Sequence, residues 1–260
     1  MNVRWIETAR GAKVRVWEAG AGAPLLFLHG AGGLFPENLF LDRLAERYHV
    51  LAPELPGYGE STGETLLEDM LDFALHGWDV VEALSLERPH VLGHSMGGMI
   101  AAEMACLAPR DLRKLVLAAP MGLWLPEAPL PDLFALLPHE VAQVLFHEPA
   151  RGTALLTGGL DFRNLEALRD FYIGNVKRLG MAGKILFPIP NRRLAKRLYR
   201  LRAETLLVVG QSDRFVPKAY VTRWQELVPR ARLEWVEAAG HMLPYEEPEA
   251  FVAAVSRFLG

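Results

Sequence analysis

The 260-residue chain contains a single cysteine, Cys106. No disulfide can close within it, and no CxxC redox or metal motif exists. Cys106 itself is expected to be a small buried apolar residue. Basic excess is also lacking: 28 Lys and Arg stand against 31 Asp and Glu, a net charge of −3. Without a positive field, neither nucleic acid nor an anionic membrane surface is an expected partner. No apolar run reaches the length of a membrane span. No basic-then-apolar leader opens the chain, so the expected location is cytoplasmic. The glycine loop His29-Gly30-Ala31-Gly32-Gly33 has no Walker lysine and no Gly-x-Gly-x-x-Gly helix start, which excludes a phosphate cradle. Internal repeats and low-complexity tracts are absent as well.

What is present is an alternation of short apolar runs with helical patterns. Val3–Thr8 and Val14–Glu18 alternate around Arg10-Gly11-Ala12 and predict an antiparallel hairpin at a sheet edge. Leu25–Leu28, Val50–Pro53, His90–Leu92, Leu115–Ala118, Thr205–Val209 and Leu233–Val236 predict core strands. The continuous apolar run Leu25–Leu28 marks a strand buried on both faces. Helical spacing is expected at Phe40–Ala45, Thr65–Leu84, Met96–Ala108, Val216–Leu227 and Pro248–Leu259. From 121 to 203 the rhythm changes. Prolines are frequent, no buried strand is evident, and short helical patterns occur at Leu133–Leu137, Val141–Phe146, Leu165–Val176 and Arg193–Leu201. The basic stretch 191–202, with Leu194, Leu198 and Leu201 interleaved, reads as an amphipathic helix with a solvated basic face. These patterns predict an α/β fold, a mostly parallel sheet flanked by helices, with a helical insertion before one of the last strands. Residues 1–120 and 204–260 would form the core and 121–203 the insertion. Functional residues of such sheets lie at the carboxyl ends of the strands.

The chain is organised around Gly93-His94-Ser95-Met96-Gly97-Gly98. Two apolar residues lead into this Gly-x-Ser-x-Gly turn and a small-residue helix leaves it, the arrangement that pushes a serine out of the backbone as a nucleophile. So tight a turn requires Ser95 at positive φ and no side chains at positions 93 and 97. A hydroxyl needs a base, and His241 in Ala238-Ala239-Gly240-His241 follows a predicted strand. An imidazole needs an acid to hold its tautomer, and Asp213 follows Thr205–Val209, with Glu127 and Asp132 as fallback acids. The order Ser, Asp, His follows from these placements. His49, His76, His90, His139 and His147 are expected at the surface or in packing. His94 must point away across the turn, and His29 is taken as a structural hydrogen-bonder. Acyl transfer places negative charge on a substrate oxygen, so donors are required. The amide of Met96 and the amide of Ala31 are the candidates, with Gly32 second.

With these motifs the chain resembles the α/β-hydrolase superfamily over its whole length. His29–Gly33 resembles its oxyanion loop, and Pro53-Glu54-Leu55-Pro56-Gly57-Tyr58-Gly59-Glu60-Ser61 resembles its D-x-P-G-x-G-x-S loop with Glu54 where Asp is usual. Gly93–Gly98 resembles the nucleophile elbow, and Gly240-His241 the histidine loop. The resemblance implies that 121–203 is a lid that roofs the pocket. It implies a serine hydrolase acting through an acyl-enzyme on a small-molecule substrate, with no metal or organic cofactor. Epoxide- and halide-displacing relatives use aspartate where Ser95 stands. The expected substrate is a small, largely apolar carboxylic ester, with Leu34, Phe35, Trp124, Leu125, Phe134 and Phe146 as pocket lining. Gly210–Pro217 also resembles the acid loop of the meta-cleavage-product hydrolases, which cleave carbon–carbon bonds. Their lid arginine would correspond here to Arg192 or Arg193. A small-ligand receptor on the same fold is the reading from another class. The sequence leaves a homodimer open.

Overall fold

The structure is a computed structural model describing residues 1–36, 38–161 and 163–260, together with all side chains in that set other than those of Pro138 and His139. The expectation for His139 therefore lies outside the described residues.

In chain order, β1 (Asn2–Glu7), β2 (Lys13–Ala19) and β3 (Pro24–Leu28) precede α1 (Leu39–Ala45) and β4 (His49–Pro53). Then come α2 (Met70–Ala83), β5 (His90–His94), α3 (Met96–Leu107) and β6 (Lys114–Ala118). After β6, in the stretch expected to be an insertion, lie α4 (Pro138–Leu145), α5 (Pro149–Thr157) and α6 (Leu165–Leu186). The chain closes with β7 (Glu204–Gly210), α7 (Lys218–Leu227), β8 (Arg232–Val236), α8 (Leu243–Glu246) and α9 (Pro248–Leu259). The eight strands form one sheet in the order β1-β2-β4-β3-β5-β6-β7-β8. β1 and β2 are antiparallel, as are β2 and β4, and every pairing from β4 onward through β8 is parallel. No helix among the described residues is long and apolar enough to cross a membrane.

The apolar strands are explained by two-sided burial. Successive side chains point to opposite faces, so Leu26 and Leu28 of β3 join the core that includes α2, α3 and part of the insertion. Leu25 and Phe27 join the core beneath α1 and α9. The same division separates Leu115 and Leu117 from Val116 and Ala118 on β6. Central strands such as β3 and β6 must therefore be apolar nearly throughout, not alternating.

Several boundaries differ from expectation. The helix predicted from Thr65 begins only at Met70, because Asp69 caps it: its carboxylate accepts from the Leu71 and Asp72 amides at 2.8 and 3.2 Å. Glu64–Leu66 forms a separate 3-10 turn. α6 runs ten residues past Val176, because Met181, Ala182, Ile185 and Leu186 bury its second half. α5 and α8, short and with proline in the first turn, escaped the sequence reading. Leu133–Leu137 is turn, not helix.

The basic stretch corrects the expectation most. Two 3-10 turns, Leu194–Lys196 and Leu198–Arg200, replace the amphipathic helix. Three of its charges, Arg192, Arg197 and Arg200, are tethers, while Arg193, Lys196 and Arg202 are exposed. Arg197 makes a two-pronged ion pair with Glu103, a residue of α3 that is only 3% exposed. Arg200 donates to the Cys106 carbonyl at 2.7 Å, and Arg192 donates to the carbonyl of Phe187 at 2.6 Å. Cys106 is buried as expected, and burial pushes its thiol up to about 12, the mark of an inert thiol.

A buried carboxylate left without its cation is costly. Arg197→Ala should therefore destabilise the protein by roughly 2–4 kcal/mol in urea unfolding. Arg193→Ala, at a residue that makes no ion pair among the described residues, should change it by less than about 0.5 kcal/mol.

Candidate active site

Ser95 sits between β5 and α3 at φ +54° and ψ −115°, a conformation that a non-glycine residue holds only under constraint. The constraint is close approach. A Cβ on Gly97 would overlap the carbonyls of Leu28 and His29, and one on Gly93 would overlap the Gly97 carbonyl. The turn is stitched to its surroundings: the Ser95 amide donates to the Ala118 carbonyl at 2.9 Å, and the Ser95 carbonyl accepts from Met99 and Met121, both at 3.1 Å.

Three segments following β5, β7 and β8 meet here. Ser95 Oγ lies 2.7 Å from His241 Nε2, and His241 Nδ1 lies 2.9 Å from Asp213 Oδ2. The other Asp213 oxygen accepts from the Phe215 and Val216 amides, both at 2.8 Å. Asp213 thus presents an oriented oxygen to the imidazole, and its Nδ1 keeps the proton while Nε2 faces the hydroxyl. Ser95 is 7% exposed and His241 2%. The fallback acids are elsewhere: Glu127 lines an outer groove, and Asp132 accepts from the Phe134 amide.

The glycine loop after β3 is held by His29. Its Nδ1–H donates to the Gly30 carbonyl at 2.8 Å, and its Nε2 accepts from the Leu55 amide at 3.1 Å. Burial lowers its pKa to about 4, so the ring is neutral. Ala31 and Gly32 border the cavity. Among the described residues the amides of Ala31 and Met96 donate to no protein acceptor. His94 does point across the turn, where its Nε2–H donates to the His241 carbonyl at 2.9 Å. Burial and the neighbouring His241 lower its pKa to about 3. His147 is half-buried, its Nδ1 2.9 Å from Ser212 Oγ.

Above Ser95 is a mostly apolar cavity lined by Phe35, Leu133, Phe134, Val141, Phe171 and Phe215, among others. Phe35 and Phe134 are where the sequence placed them. The other four lining expectations fail. Leu34 packs with the core beneath α1 and α9. Trp124 and Leu125 line the outer groove with Arg193. Phe146 is fully buried in the core. Nor does Arg192 reach the cavity, being spent on insertion carbonyls. The arginine that does line it is Arg178 of α6, with Tyr172, Asn175 and Leu179 of the same helix. Arg178 is half-buried, with no carboxylate within ion-pair distance among the described residues, and burial lowers its pKa. Phe171, Asn175, Arg178 and Leu179 fall at i, i+4, i+7 and i+8. One cation on an otherwise weakly polar helix face was the available signal.

Comparison with known proteins agrees with this architecture. Residues 25–254 match the model of the alpha/beta hydrolase family. The chain belongs to that family. Among its relatives is a dihydrolipoyllysine-residue acetyltransferase component of an acetoin cleaving system from Cupriavidus necator, 31% identical over 96% of this chain and 67% of the relative. A 2-hydroxymuconate semialdehyde hydrolase from a Pseudomonas species is 27% identical over 96% of this chain and 92% of the relative. Among solved structures, a bacterial membrane phospholipase A aligns with a TM-score of 0.81 at 25% identity, covering 99% of this chain and 85% of that one.

Two fully buried neutral histidines flank the site, and their linkage has a definite sign. His29 and His94 titrate near 4 and 3 when folded but near 6.5 when unfolded. The unfolded chain therefore binds more protons below 6.5, and stability is lost as pH falls from 6.5 toward these values. Each should contribute a slope of about 1.4 kcal/mol per pH unit between pH 6 and 4.5. Burial lowers His76 and His90 to about 4 in the same way, so urea unfolding across that range measures the sum over all four, and His94→Asn should remove about a quarter of it.

Proposed function

We propose that this member of the hydrolase family is a serine hydrolase whose catalytic groups are Ser95, His241 and Asp213. The observation that carries this reading is the continuous hydrogen-bonded chain from Asp213 through His241 to Ser95 at the floor of an apolar cavity. Nε2 of His241 removes the Ser95 proton as Oγ attacks the substrate carbonyl carbon. The negative charge that develops on the carbonyl oxygen is received by the amides of Met96 and Ala31, with Gly32 as the second choice for the loop donor. The tetrahedral species expels the leaving group, which takes the proton from His241, and leaves an ester on Oγ. Water, deprotonated by His241, attacks that ester and releases the acid and Ser95. Every proton passes through one imidazole, held throughout by the Asp213 carboxylate. In this reading the insertion 121–203 is the lid that roofs the cavity.

The apolar lining favours a small carboxylic ester with a hydrophobic acyl group. A second reading, carbon–carbon cleavage of the meta-cleavage type, is favoured by one specific observation: Arg178 brings a cation to the cavity wall. It is also favoured by the relative named for 2-hydroxymuconate semialdehyde. Under either reading Arg178 faces bound substrate. A purely receptive, non-catalytic role accounts less well for a base already aligned on its nucleophile.

A parallel screen tests these readings. p-Nitrophenyl esters of graded chain length and a vinylogous 1,5-diketone acid are offered to wild type, Ser95→Ala and Arg178→Gln. Ser95→Ala should lose at least about 10⁴-fold in kcat on whichever substrate turns over. Arg178→Gln should raise KM roughly tenfold to a hundredfold for the acid, through loss of a charge-assisted hydrogen bond, and leave uncharged esters nearly unaffected. Turnover that survives in Ser95→Ala sinks the serine mechanism, and an inert wild type favours the receptor.

A further inference from the structure

His241 is carried on a loop, and a loop by itself does not hold an imidazole to the tolerance that proton transfer requires. Two of its supports come from the site already described, Asp213 at Nδ1 and His94 at the main-chain carbonyl. A third comes from outside it. Glu246, at the end of α8, is 4% exposed. One of its carboxylate oxygens accepts from the Gly240 amide at 2.8 Å, next in sequence to His241, and the other accepts from the His147 amide at 2.5 Å. Gly240 belongs to the histidine loop and His147 to the segment joining α4 to α5. One carboxylate therefore clamps the catalytic loop to the insertion.

The joint is close on every side. The Met242 amide donates to the Leu145 carbonyl at 3.1 Å. A Cβ on Gly240 would overlap the backbone of residues 145–147. Arg214, next to Asp213, donates to the carbonyls of Gln143, Phe146 and His147 at 2.5, 3.2 and 3.4 Å. The His147 ring meets Ser212 on the other side of Asp213. The strap 143–148 thus touches both loops that orient the imidazole, and Glu246 is the side chain that bonds strap and histidine loop at once. Burying a carboxylate is expensive unless both oxygens find donors. Here the donors are main-chain amides in two segments far apart in sequence, so the group can be satisfied only when strap and loop are in register.

We propose that Glu246 is a positioning residue for His241, and that through it the strap 143–148 helps set the geometry of the reacting groups. It follows that the part of the insertion nearest Asp213 and His241 is a fixed support, and any opening of the cavity involves the segments beyond it. The proposal rests on the serine-hydrolase reading, and the test separates the two.

The probe is p-nitrophenyl diethyl phosphate, whose phosphorus is attacked by Ser95 Oγ with departure of p-nitrophenolate while His241 takes the serine proton. Labelling of wild type but not of Ser95→Ala establishes the nucleophile, and failure there overturns the underlying reading independently. Glu246→Gln keeps the volume and one acceptor but turns an N–H group toward a main-chain N–H. Its phosphorylation rate and its kcat on an uncharged ester should fall roughly tenfold to a hundredfold, since small misplacements of a general base have effects of this size. KM should stay within about twofold. Glu246→Asp keeps the charge but shortens the reach, and its rate should fall between the two. It also serves as the variant measured if Glu246→Gln does not fold. Rates equal to wild type overturn the proposal. So does a loss matched by the unfolded fraction or carried in KM, and so does failure of both variants to fold, which makes the carboxylate a fold determinant only.

Discussion

The structure depends on one turn that is too tight for side chains on either side of it. Ser95 at φ +54° stores strain on the order of 1–3 kcal/mol, and the surroundings must over-determine it. They do so through register. Gly93 pairs with Leu28 on one side and Leu117 on the other. The Ser95 amide and carbonyl are both spent on neighbouring segments. Because Gly97 lies against the Leu28 and His29 carbonyls, the end of β3 cannot shift without opening the turn. The glycine loop that follows β3 therefore starts from a fixed point, and the same constraint that lifts the hydroxyl brings Ala31 and Gly32 to it.

Around that turn the polar groups are few, buried and kept neutral or paired. His29 links the glycine loop to Leu55, and His94 links the elbow to the backbone of His241. Both rings are held uncharged by burial. Under the proposed mechanism neutrality matters here: a second imidazolium beside His241 would oppose the charge that His241 would acquire on taking a proton. Glu54 shows the same economy. It stands where the resemblance leads one to expect the shorter aspartate, and its longer side chain reaches both the Trp17 indole N–H and the Glu60 amide at 3.0 Å.

The core of this arrangement was legible because local and tertiary signals coincided. Strands buried on both faces announce themselves by uninterrupted apolar runs, and the elbow's residue types are dictated by sterics, so Ser95 could be named from its neighbours. Asp213 and His241 stand out in sequence because each follows a predicted core strand, and the structure brings both to Ser95. The insertion was less legible, since its chemistry is set by contacts with no local signature. The charges at 192–200 look like a solvated face in sequence, yet Arg197 is required by a glutamate 94 positions away that no pattern marks as buried. Phe146 and Phe134 look equally suitable as lining. Only the packing of Phe146 against Gly152 and the core separates them. Glu246 gave no signal, because its partners are main-chain amides, which every residue but proline supplies.

The two halves of α6 suggest how such a molecule divides chemistry from selectivity. The second half is anchored: Met181, Ala182, Ile185 and Leu186 are buried, and Lys184 donates to the carbonyls of Glu64 and Leu67 at 2.8 and 2.7 Å. The first half is not, for Leu165, Tyr172, Ile173 and Val176 are among the most exposed large apolar residues. The cavity-facing positions 171, 172, 175, 178 and 179 lie in or just beyond that exposed half. Substitutions there change what the substrate meets without disturbing a packed core, because little apolar area is lost when they change. Substitutions at 93, 95, 97, 213 or 241 have no such freedom, since each is fixed by backbone geometry or by the hydrogen bonds that join Ser95, His241 and Asp213. On the proposed serine-hydrolase reading, selectivity would reside where the fold tolerates change, and Arg178 occupies the point at which the tolerant half meets the anchored one. Its backbone is held in place, its carbonyl accepting from the Tyr58 hydroxyl at 3.1 Å, while its guanidinium is left for the cavity.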